Sequence, residues 1–138
     1  MSPCFIINVR NERVVLIVQV LKDELRHKIL LESEHLFLQR GYDRTSLQMI
    51  ADKVNISKSN LYHYFKNKEE LFYELTDSAA DGLKRMILRF RSMRFDLNMD
   101  AQEFRMLLTE EVLSLLLAEK YGLLLIMEQA NGTRYENL

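Results

Sequence analysis

Between residues 45 and 68, TSLQMIADKVNISKSNLYHYFKNK, apolar positions recur with the period of helices too short to stand alone. Leu47, Ile50, Ala51 and Val54 fall at i, i+3, i+4 and i+7, which makes one narrow apolar face and sends Gln48, Asp52 and Lys53 to water. Thr45, with Gln48 three residues on, has the form of a capping box, so this helix is predicted to start at about Ser46. The pattern fails at Asn55, a turn residue, and Ser57 can cap a second helix from about Lys58 to Tyr64 whose inward residues are Leu61 and Phe65. A helix under three turns long persists only if packing holds it, so its outward side chains are displayed on a rigid platform.

The flanking stretches read as longer helices. From Lys22 to Arg40, Leu25, Ile29, Leu36 and Phe37, with small Ser33 between them, form a face able to roof the two short helices, and Gly41 stops it. Tyr42 packs at the following corner. After Asn67, which forms another capping box with Glu70, a long helix is predicted to about Met93, with Leu71, Phe72, Leu75, Ala79, Leu83, Met86, Ile87 and Phe90 on one side. Gly82 lies inside it, where a bend, close packing or no special role are all open. Asp100 can cap a further helix, with Glu103 at its third position, that runs to about Lys120 and is apolar nearly all round at VLSLLL. Gly122 is expected to separate it from LLLIMEQA, and Asn131-Gly132 to stop that last helix.

Residues 1–21 fit this scheme badly. VVLIVQVL is an apolar run far short of the roughly 20 residues of a membrane span, and MSPCFIINVRNER lacks the basic start and cleavage site of a signal peptide. Its β-branched content reads as strand. Disorder, strand pairing with a neighbouring chain, or a start-site artefact with the natural start near Val20 or Leu21 are the readings. A helical extension of the first helix is the alternative.

Composition narrows the class. One proline and four glycines in 138 residues, with 48% hydrophobic content, leave long helices as the economical reading, so the fold class is all-α. The net charge of −1 hides a division: residues 40–68 carry six basic against two acidic residues, whereas residues 69–138 carry eight against thirteen. A basic head on an acidic body suits a protein of which one end alone approaches phosphate; ordinary solvated faces are the bland alternative. Cys4 is the single cysteine, which excludes an intrachain disulfide and suits a reducing cytoplasm. No glycine-rich phosphate loop, CxxC pair, metal-ligand spacing or nucleophile-base constellation is visible, so neither an enzyme, a metal nor a cofactor is expected.

Two helices and a tight turn, the second helix crowded with Lys, Ser, Asn, Tyr and His, form the helix-turn-helix arrangement, whose second helix enters the DNA major groove. Lys58 and His63 suit phosphate or guanine edges, Ser59 and Asn60 hydrogen-bond either, and Tyr62 and Tyr64 join a donor to a flat apolar body. Lys66 and Lys68 follow at the next helix start, where free N–H groups can meet a phosphate.

GYDRTSLQMIADKVNISKSNLYHYFKNKEELF resembles the DNA-binding segment of TetR-type transcriptional regulators, in its Gly-Tyr-x-x-Thr-Ser start, its Ile-Ala pair, Ser-Lys-x-x-Leu-Tyr and Tyr-Phe-x-x-Lys-Glu. The resemblance covers about Lys22 to Leu75. It implies a three-helix head over residues 22–67 and an effector-binding and dimerisation body over residues 68–138, incomplete because relatives continue through further helices. It implies that Thr45, Ser46, Lys58, Ser59, Asn60, Tyr62, His63, Tyr64 and Lys68 contact operator DNA. Ser59 stands where many relatives carry glycine. It implies a homodimeric, ligand-responsive repressor on a near-palindromic operator, with a small hydrophobic or cationic effector and no membrane partner. Met86, Phe90, Phe104, Leu108 and Met127 are the candidate pocket residues, ordinary core packing being the alternative for the methionines. A second reading is a helical protein-interaction module that keeps the helix-turn-helix as scaffold.

Overall fold

The computed structural model describes residues 9–93 and 100–129, and no strand occurs among them. Five helices follow one another: α1 (Val9–Arg40), α2 (Leu47–Val54), α3 (Lys58–Leu61), α4 (Lys68–Met93) and α5 (Ala101–Gln129). Their order is that expected from the periodicity, and their boundaries differ at four places.

The first difference is at the start. Residues 9–21, whose β-branched run suggested a strand, instead continue α1 as helix. A strand needs a partner edge for its N–H and C=O groups, whereas a helix closes its bonds within its own turns, and β-branching weakens helix propensity by only a few tenths of a kcal/mol. Val14 to Val18, Val20 and Leu21 are all exposed. Residues 1–8, covered by the same expectations, lie outside the described residues.

The second concerns the cap of α2. Ser46, not Thr45, is the N-cap: its backbone is extended and its hydroxyl accepts from the Met49 N–H at 3.3 Å. Gln48 donates to Asp52 at 2.7 Å and takes no part in a capping box. The third is the length of α3, which ends at Leu61 and not near Tyr64. Its i−4 ladder gives way to a tighter turn in which His63 N–H donates to Asn60 O and Tyr64 N–H to Leu61 O.

The head core is built from the predicted faces. Ile29, Leu36 and Phe37 of α1, Ile50, Ala51 and Val54 of α2, Leu61 and Phe65, and Leu71 and Phe72 of α4 are buried together. Ser33 is buried among them, its hydroxyl donating to the Ile29 carbonyl at 2.6 Å. Gly41 ends α1 at φ 89°, the left-handed conformation a side chain resists, with its N–H on the Phe37 carbonyl at 2.9 Å. Asn55 ends α2 the same way at φ 63°. Tyr42 then packs at the corner, its ring 5.6 Å from Phe37 and 4.9 Å from Phe72, which stand 5.7 Å apart. Each such ring pair adds about 0.5–1.5 kcal/mol beyond its area.

Asp100 caps α5 as expected, accepting from the N–H groups of Gln102 and Glu103 at 2.7 and 2.8 Å. α5 runs back along α4, with Phe104 edge-on to Phe90 and Glu111 in an ion pair with Arg89. The fourth difference is here. The helix bends at Glu119, and Gly122, expected as a separator, lies inside α5 and buried. A Cβ on Gly122 would stand 2.8 Å from the Ala79 Cβ, and one on Gly82 only 2.5 Å from Leu115 Cδ1, so both glycines permit the close approach of α4 and α5. The predicted stop at Asn131-Gly132 lies outside the described residues.

Candidate nucleic-acid interface

Ser57 starts α3 by accepting from the Asn60 N–H at 3.1 Å. Leu61 and Phe65 then anchor the element from beneath, both essentially fully buried. Because inward residues are fixed by packing, Lys58, Ser59, Tyr62 and His63 are held outward and exposed, while Asn60 and Tyr64 are half-buried at the rim. Tyr62 retains 47% of its surface, and the Lys58 ammonium lies 5.9 Å from its ring centroid, at the outer reach of a cation–π contact. Exposed Ser46 stands at the start of α2. Donors, cations and flat apolar groups thus share one side of a turn that the core keeps rigid, as reading a duplex groove requires.

Two expected contacts sit differently. Thr45 is turned inward with 1% of its surface exposed; its hydroxyl shares its proton between the Gly41 carbonyl at 2.8 Å and the Leu36 carbonyl at 3.2 Å. Its N–H is taken by the Tyr42 carbonyl. Its side chain is therefore not offered to a duplex, because the end of α1 needs its donor. Lys68 is half-buried, its ammonium donating to the Tyr42 carbonyl at 2.6 Å and lying 4.0 Å from that ring's centroid. Burial lowers its pKa from the usual lysine range, with Asp43 opposing that shift. One of its three N–H bonds is thus spent within the head.

The start of α4 is also occupied. Glu70 N–H donates to Asn67 Oδ1 at 2.7 Å, the predicted half of the cap, while Glu70 Oε2 accepts from the N–H of Lys66 at 2.6 Å, one residue before the N–H that a capping box would use. Glu69 and Glu70 already complement the helix dipole in that first turn, so a phosphate there meets two carboxylates.

Arg26 escaped the sequence reading. Its guanidinium forms a two-pronged ion pair with Glu74 and covers the Phe65 ring at 4.9 Å, tying α1 to α4 and to the end of the reading turn. A partner 48 residues away leaves no local signal.

The five candidate pocket residues differ in their surroundings among the described residues. Phe90 and Phe104 meet edge to face, Leu108 is exposed, and Met127, beyond the bend, is 81% exposed. Met86 alone lines the groove between α4 and α5, about 390 Å³, beside Arg85, Arg89, Glu111 and Glu119. No group of three or more potential metal ligands occurs among the described residues, and no described helix is long and apolar enough to cross a membrane.

A helix-turn-helix head carried on a long antiparallel helix pair defines the class. Within this chain residues 29–75 match the family model of bacterial regulatory proteins, tetR family. Among curated relatives, the biofilm operon icaADBC negative transcriptional regulator IcaR of Staphylococcus epidermidis is 34% identical over 65 residues, 47% of this chain and 35% of that protein. The transcriptional activator FasR of Mycolicibacterium smegmatis is 34% identical over 62 residues, 45% of this chain and 28% of the relative. The matched stretch thus spans about a third of these relatives' length. The solved structure of the TetR family protein CprB from S. coelicolor A3(2) is 26% identical, with a TM-score of 0.50 over 76% of this chain and 52% of that one. The crystal structure of the probable transcriptional regulatory protein RHA5900, 22% identical over 76% of this chain and 54% of that chain, shares the fold at a TM-score of 0.57.

Proposed function

We propose that the protein is a DNA-binding transcriptional regulator of the TetR type, a cytoplasmic repressor that occupies a near-palindromic operator as a homodimer. The observation that carries this reading is the outward set Lys58, Ser59, Tyr62 and His63 on a turn pinned by Leu61 and Phe65. The basic head and acidic body support it, since they favour approach of one end only. One short helix reads few bases, so specific affinity calls for two heads about 34 Å apart or a multiple of that, one duplex turn each. Ser46, Asn60 and Tyr64 complete the contact set, with Lys68 a partial member.

A ligand-responsive switch is part of this proposal. The groove beside Met86, with two arginines and two glutamates on its walls, suits a small polar or cationic molecule better than a purely apolar one. Such a molecule acts only through differential affinity for two head spacings, and a full switch needs roughly 5.5 kcal/mol of it.

The test is a titration of the full chain with random duplex at low salt, followed by selection from a randomised pool. Salt-dependent binding and enrichment of paired half-sites are expected; no binding at 50 mM salt would remove the reading. The second reading, a helical protein-interaction module, rests on the exposed apolar side chains of Val14 to Leu21 and of Leu113, Leu116 and Leu117. It predicts no duplex binding in that titration.

A further inference from the structure

α5 turns a corner as it passes Ser78. Glu119 has φ −124° and ψ 26°, outside helical values, and its carboxylate accepts from the Ser78 hydroxyl at 2.6 Å. Three residues on, Gly122 sits against α4 so closely that a Cβ would stand 2.8 Å from the Ala79 Cβ and 3.1 Å from the Leu75 carbonyl oxygen. Of these neighbours the carbonyl belongs to a helix backbone and cannot step aside. Beyond the corner Leu123, Leu125 and Ile126 are buried in one cluster with Ile29, Phe37 and Phe72 of the head, and α5 touches α1 as well as α4. A straight α5 would follow a different line past α4 and lift those three side chains off that cluster.

Resting on the reading that the head binds DNA, we infer that the Ser78–Glu119–Gly122 corner is a positioning element for DNA reading. It fixes where residues 120–129 lie across α1 and α4, and so the attitude at which the body presents α3. Neither Glu119 nor Gly122 lies in the outward set on α3 and the turn that follows it. They act through α1 and α4, which hold that set.

The full chain is compared with Gly122→Ala, Ser78→Ala and the double variant Gly122→Ala/Ala79→Gly, in which the room taken by the new methyl is partly returned. Amide hydrogen exchange across residues 25–37 is expected to speed up by about tenfold or more in Gly122→Ala, less in Ser78→Ala, and to recover in the double variant. Half-site spacing selected from random duplex is expected to shift in Gly122→Ala while affinity for a single half-site is retained. Unchanged spacing in a variant that binds duplex overturns the inference, and so does unchanged exchange in α1. If the wild-type chain takes up no duplex, the proposed function falls and the exchange measurement alone decides the coupling. If circular dichroism shows Gly122→Ala unfolded, Ser78→Ala decides on the same two readouts.

Discussion

The Lys68 ammonium donates to the backbone carbonyl of Tyr42 at 2.6 Å and lies 4.0 Å from the centroid of the same residue's ring, so one cation closes the corner between α1 and α4 twice over. Tyr42 in turn packs on Phe37 and Phe72. The head is therefore held at this corner by a charge for which the family resemblance implies a DNA contact.

Replacing Lys68 with alanine is accordingly expected to lower stability by about 1–2 kcal/mol, the range for a charge-assisted hydrogen bond with a cation–π contribution. Duplex affinity should fall alike on all sequences, with the salt slope flattened by less than one unit, because the ammonium is already engaged. Thermal melts and a salt titration check both parts; an unchanged melt with a full-unit slope change would return Lys68 to DNA alone.

Lys58 is the contrasting case. It is exposed on α3, and Lys58→Ala is expected to leave the melt within about 0.5 kcal/mol while reducing the salt slope by about one unit. Asn60→Ala and Tyr62→Ala should instead change which duplex is selected. A selected sequence identical to wild type in both variants would argue against base contacts from these residues.

Thr45→Val keeps shape and removes the hydroxyl that serves the Gly41 and Leu36 carbonyls. A loss of about 1–3 kcal/mol is expected on thermal or denaturant unfolding, with base preference unaltered. A shift in preference at full stability would place Thr45 back at the interface.

Glu34 supplies a pH test. Burial raises its carboxyl above the usual glutamate range, with the neighbouring His35 opposing. Between its unfolded and folded pKa values the native state binds more protons, so stability falls as pH rises through that window. Glu34→Gln removes the charge penalty and should melt higher than wild type at pH 7, the difference shrinking as pH falls toward 4. Parallel melts at the two pH values measure it, and a variant less stable than wild type at pH 7 contradicts the assignment.

Much of the head, and the start of α5, was legible because the signals are local. The faces Leu47–Ile50–Ala51–Val54 and Leu25–Ile29–Leu36–Phe37, the glycine stop at residue 41 and the caps at Ser57, Asn67 and Asp100 all act within a turn or so of helix. The cap of α2 was expected at Thr45 and falls on Ser46, because the choice depends on which hydroxyl the end of α1 draws inward. The β-branched run before Leu21 misled in the same way: propensity is a small term, and a helix already nucleated downstream outweighs it.

The sequence by itself determined an all-helical chain, the order of its helices, and which short element carries the exposed polar set. Tertiary structure alone decided that Thr45 and Lys68 turn inward, that Arg26 grips Glu74 and Phe65, and that α5 bends at Glu119 over a glycine seat. The reason is range. Periodicity and capping act between residues three or four apart, whereas the direction of a half-buried cation, or of a helix passing another at van der Waals distance, depends on partners tens of residues away that only packing brings near.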